Sequence, residues 1–155
     1  MPTTTTTTAT VRQTTATTQP GSTTFSSISV QRGFISTITG MLTIFEMILG
    51  IIAFSMAVSH LDTRSTFFLV LVSFAYWVIS FMILVSAVVS ASGTVLPTTQ
   101  FYMTFHAFGC LFYISGGLSC AIQAHWAINI AAGVMGLLAG ICHLVHVVYA
   151  YKKMM

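Results

Sequence analysis

Four side chains that could do chemistry lie inside apolar sequence: Glu46, His106, His143 and His146. A charged carboxylate at mid-membrane costs about 2.5–3.5 kcal/mol on insertion scales, so Glu46 should be protonated or paired inward. It could serve as a proton or ion site, or as a polar pin holding helices together. A single carboxyl without a relay favours the pin, with Tyr76 and Tyr113 as its expected hydrogen-bond partners. Three imidazoles in one layer are the donor type for a metal or haem iron. Yet His143 and His146 diverge by about 60° around a helix, and no carboxylate is expected at their depth. The histidines therefore read as hydrogen-bonded interior residues, and no catalytic residue, metal or cofactor is assigned. His60 and His125 fall in expected loops, where water can solvate them.

Four apolar stretches must position these residues: about 34–58, 67–89, 101–124 and 126–151. A helix rises about 1.5 Å per residue and needs about 20 apolar residues to cross the hydrocarbon. Each stretch is long enough. The chain of 155 residues is 55% hydrophobic and only 5% charged, with a mean hydropathy of +0.92. Soluble domains carry about a quarter charged residues, so the expected fold class is all-α, an integral membrane four-helix bundle. Little chain remains for a catalytic domain, and no run of cations suggests nucleic acid.

Residues 1–31 are dominated by threonine, with the run Thr3–Thr8 and no apolar segment of signal-peptide type. They read as a disordered Thr/Ser-rich tail, and the first span as its own insertion signal. An even number of spans puts both ends on one side. Arg12, Arg32, Lys152 and Lys153 lie there, against Arg64 (offset by Asp62) on the other. By the positive-inside rule both termini should be cytoplasmic. Tyr102, Trp126, Tyr149 and Tyr151 fall near span ends, where amphipathic rings favour the interface. Cys110, Cys120 and Cys142 all lie within spans, so no loop disulfide framework is expected.

At 100° per residue every span shows a face of small and polar residues. Span one groups Thr39, Thr43, Glu46, Gly50, Ala53 and Ala57. Span two groups Ser73, Tyr76, Ser80 and Ala87. Span three groups Tyr102, His106, Gly109, Cys110, Tyr113, Gly117, Cys120 and Ala124, and span four Asn129, Ala132, Gly136, Gly140 and His143. Small residues let helices approach closely in lipid, where packing and hydrogen bonds replace the hydrophobic effect. Glu46, Gly50, Gly117, Gly136, Gly140 and His143 are the expected packing residues. Gly136–Gly140 forms a GxxxG that serves packing within the bundle or, alternatively, a homodimer seam.

The order of features resembles the MARVEL domain, the tetraspan module of MAL-like, chemokine-like-factor-like, physin and occludin-type proteins. The resemblance spans about residues 31–152, giving a tail of 1–31 and a four-transmembrane domain of 32–152. It rests on Arg32-Gly33 before the first span, and on Glu46 within Phe45-Glu46-Met47-Ile48-Leu49-Gly50. Phe105-His106-Ala107, Leu111 through Gly116, and Leu144-Val145-His146 followed by Lys152-Lys153 complete it. Loop cysteines of claudin, tetraspanin or connexin type are absent. The resemblance implies a non-enzymatic organiser of membrane domains, membrane apposition or vesicle traffic and fusion, at the plasma membrane or on secretory or endosomal vesicles. Its implied partners are membrane lipids, including sterols, and other membrane proteins. The alternative is a small ion channel or transporter subunit using Glu46. Two sterol-like patterns occur, Val147-x-Tyr149-x₂-Lys152 and Arg64-x₂-Phe67-x-Leu69, the first placing Tyr149 and Lys152 at a sterol contact.

Overall fold

The computed structural model describes residues 32–89 and 99–155, and the expected tail and most of the second connection lie outside them. Five helices make up the described chain: α1 (Arg32–Ile35), α2 (Ile38–Ala57), α3 (Arg64–Val89), α4 (Gln100–Gln123) and α5 (Ala127–Met154). The last four are long and apolar enough to cross a membrane. The chain is a multi-pass, all-α membrane protein. Consecutive long helices alternate in direction, with α2 beside α3 and α5, and α4 beside α3 and α5.

The first span does not run unbroken from residue 34 as expected. It breaks after Ile35, because Thr37 takes an extended backbone and caps α2. Its Oγ1 accepts from the Gly40 N–H at 3.1 Å and donates to the Phe34 carbonyl at 2.6 Å. This satisfies one of the orphan donors at the helix start. A side chain at Gly40 would collide with the Phe34 carbonyl, so glycine allows the short α1 to fold back. The shift matters for the interior: Glu46 lies about 12 Å along α2, at 1.5 Å per residue, a depth comparable with that of the histidines.

The faces expected from the sequence turn inward, with Cys110 and Ala124 at the margin and only half-buried. Thr39, Thr43, Glu46, Gly50, Ala53 and Ala57 of α2 are buried, as are Ser73, Tyr76, Ser80 and Ala87 of α3. Phe108, Leu111, Val134, Leu138, Ile141 and Val145 stand outside. That arrangement is the inverse of a soluble bundle's: bulky apolar groups face out, where lipid accommodates them.

Glycine lets α4 and α5 meet backbone to backbone. A Cβ on Gly117 would lie 2.7 Å from the Gly133 carbonyl and 2.9 Å from the Leu137 N–H. One on Gly133 would lie 2.7 Å from both the Ala121 nitrogen and the Gly117 carbonyl. Gly136 faces Leu69 and Gly117, and Gly140 faces Ile114 and Tyr113. The GxxxG therefore packs within the bundle. Gly50 leaves room for the Tyr113 hydroxyl and Trp77.

Candidate functional site

Glu46 of α2 reaches the bundle axis and meets three imidazoles. Its Oε1 lies 2.9 Å from His146 Nδ1 and 3.3 Å from both His106 Nδ1 and His143 Nδ1. His106 Nδ1 and His143 Nδ1 are themselves 2.9 Å apart. Glu46 and His143 are 1% exposed, and His106 and His146 are 0% exposed. Four donor atoms from three helices thus converge on one point shielded from solvent and lipid.

Two expectations need correction here. A carboxylate does accompany the histidines, because the break at residues 36–37 lowers the start of α2 and brings Glu46 level with them. The hydrogen-bonding partners of Glu46 are imidazoles rather than Tyr76 and Tyr113. Tyr76 instead stacks on Phe105 at 4.8 Å and meets His143 edge-on at 5.3 Å. Tyr113 stacks on His143 at 5.5 Å. The 60° divergence of His143 and His146 is also bridged, since one carboxylate oxygen sits between them.

A hydroxyl string continues the site toward the Lys152 end. The Tyr102 hydroxyl lies 2.6 Å from His146 Nε2 and 3.4 Å from Thr43 Oγ1, which donates to the Thr39 carbonyl at 2.9 Å. Tyr102 is 1% exposed, so it serves the interior rather than an interfacial belt. Threonine back-bonding of this kind keeps a hydroxyl satisfied inside a helix. The aromatic shell is tight: His106 and His146 stack at 3.9 Å and His106 meets His143 at 5.1 Å. Those spacings leave no slot for a porphyrin.

Not every polar atom is matched. Glu46 Oε2, His106 Nε2 and His143 Nε2 are buried without a hydrogen-bond partner among the described residues. Leaving such a group unmatched costs about 1–3 kcal/mol.

A second polar node closes the opposite end. Asp62, in the α2–α3 connection, accepts from Asn129 Nδ2 at 2.8 Å, from Thr66 Oγ1 at 3.0 Å and from the His125 backbone N–H at 3.1 Å. Asn129 also donates to the His60 carbonyl at 2.6 Å, and His60 stacks on Trp126 at 4.8 Å. Loss of solvent opposes ionisation of Asp62. Hydrogen bonds from His125, Thr66 and Asn129 outweigh it and hold the carboxyl below its ordinary 3.8.

On the outer surface, Leu144, Val145, Val148, Tyr149 and Lys152 line an apolar groove of about 350 Å³. The first sterol-like pattern thus lies on accessible surface. The second does not: Leu69 is 0% exposed, packed against Gly136. Sequence reasoning passed over Gly133, which touches Gly117, and the pairing, though not the inward faces, of Tyr102 and Thr43. The spacing of Gly133 from Gly136 and Gly140 was a usable signal for the former. Comparison of the chain with protein-family models, with curated proteins and with solved structures gives no match.

Proposed function

We propose that this chain is a MARVEL-type organiser of membranes, non-enzymatic, with both termini cytoplasmic, acting through lipids and neighbouring membrane proteins. The observation that supports it is the groove on α5. Its floor is Leu144, Val145 and Val148, and Tyr149 and Lys152 stand toward the end of the helix. A sterol presents a rigid apolar body and one hydroxyl, which suits an apolar slot with a phenol and an ammonium at its rim. Lys152 can bury its stem along that floor while its head stays at the interface. Sites of action consistent with this reading are sterol-rich regions of the plasma membrane or of secretory and endosomal vesicles.

The test is partitioning in phase-separated giant vesicles containing sterol. Wild-type protein should enrich in the sterol-rich phase, and Val148→Trp, which fills the groove, should lose that enrichment while remaining folded. Equal partitioning of both proteins would remove the groove from the explanation.

A second reading, a small channel or transporter subunit, draws on buried Glu46. Against it, Glu46 is held between histidines instead of lining open space, and selectivity generally needs rings of charge or broken helices. Reproducible unitary currents in planar bilayers that vanish in Glu46→Gln would favour it.

A further inference from the structure

We propose that Glu46, His106, His143 and His146 form a binding site for one zinc-like divalent transition-metal ion, clamping α2, α4 and α5. The expectation of no metal rested on histidines without a carboxylate, and that premise no longer holds. Zinc takes nitrogen and carboxylate oxygen at about 2.0–2.2 Å in tetrahedral sites. The edges of such a tetrahedron are about 3.3 Å, from the same bond lengths. Four of the six separations among these donor atoms run from 2.9 to 3.3 Å, close to those edges. Glu46, His106 and His146 by themselves bring their ligand atoms within 4.8 Å of one another.

Proton bookkeeping points the same way. If His146 Nδ1–H donates to Glu46, its Nε2 accepts from Tyr102, and that arm is satisfied. The remaining pair shares one hydrogen bond between two Nδ1 atoms, so one of them accepts with its lone pair and has no proton to offer Glu46 Oε1, 3.3 Å away. The proton of that ring then sits on an Nε2 with no acceptor. A cation at the centre takes one lone pair from each of the four atoms once the Nδ1 protons have moved to the Nε2 positions. It also supplies a positive charge beside Glu46, since among the described side chains Arg64, Lys152 and Lys153 are all exposed.

With the metal bound through Nδ1, His146 carries its proton on Nε2 and donates to Tyr102, which can pass its own to Thr43. Outer partners of this kind orient imidazole ligands. The donor set holds no sulfur, which suits zinc, copper or nickel over clusters. Binding requires the stacked His106 and His146 rings to fan apart slightly.

The experiment uses the full chain in nanodiscs, stripped with chelator and titrated with Co²⁺, then Zn²⁺. Expected is saturation at one equivalent of Co²⁺, with the intense visible bands of four-coordinate cobalt, bleached by one equivalent of Zn²⁺. His106→Gln and His143→Gln should lose the bands while retaining wild-type helicity by circular dichroism, and His125→Gln should keep them. If a variant fails to fold, the wild-type spectrum and its displacement by zinc decide the matter. Weak, non-saturating, six-coordinate absorption by folded wild-type protein would overturn the site. So would four-coordinate bands that survive in both folded histidine variants.

Discussion

Glu46 Oε1 lies 2.9 Å from His146 Nδ1, a contact between residues one hundred positions apart that ties the first crossing to the last. His106 and His143 complete the cluster from α4 and α5. In lipid, where apolar burial gives no net drive between helices, such polar contacts and close backbone packing hold a bundle together.

Glu46→Leu should therefore cost several kcal/mol, because it strands imidazoles in an apolar interior at about 1–3 kcal/mol for each unmatched group. Glu46→Gln retains an acceptor oxygen of similar reach and should lose markedly less. Thermal unfolding in nanodiscs separates the two. Equal losses would mean that the cluster contributes shape and no polar bonding.

At the α4–α5 seam, Gly133→Ala should destabilise by about 1–3 kcal/mol, the usual cost of overpacking, because its new methyl meets backbone rather than a movable side chain. Leu138→Ala, on the exposed face, should change little because lipid fills the gap. The same unfolding measurement applies, and similar losses from both would show that the faces are assigned the wrong way round.

The faces were legible in the sequence because a 3.6-residue period needs no knowledge of partners: every grouped residue from Thr39 to Ala57 lies inside. The depth of Glu46 was not. It depends on a helix break created by Thr37 and Gly40, local capping chemistry within a stretch that reads as continuously apolar. Four residues of misplacement, from 34 to 38, moved Glu46 about one helical turn, enough to separate it from the histidines on paper. Tyr102 drew two readings, a ring near a span end that suits the interface and a member of the inward face of span three, and its buried hydroxyl agrees with the second.

Asp62 gives a pH signature. Its folded carboxyl titrates below the ordinary 3.8, so the native state binds fewer protons than the unfolded state across that window. Its stabilising contribution is present above about pH 4 and is lost as pH falls through the folded value. Asp62→Asn should flatten the acid limb of the stability–pH curve. An unchanged limb would place the acid sensitivity elsewhere.

For orientation, a tag ahead of residue 1 should be digested by protease added to the cytosolic face of sealed vesicles, following the cation asymmetry of the chain. Protection of the tag would invert the topology.

The claim that this protein works by engaging sterol on α5 is tested most directly by photo-crosslinking. A photoactivatable sterol in nanodiscs, followed by peptide mapping, should label the segment from Leu144 to Lys152, with labelling competed by unmodified sterol and lost in Val148→Trp. Labelling spread evenly over the exposed faces of α2 to α5, or unaffected by Val148→Trp, would contradict it.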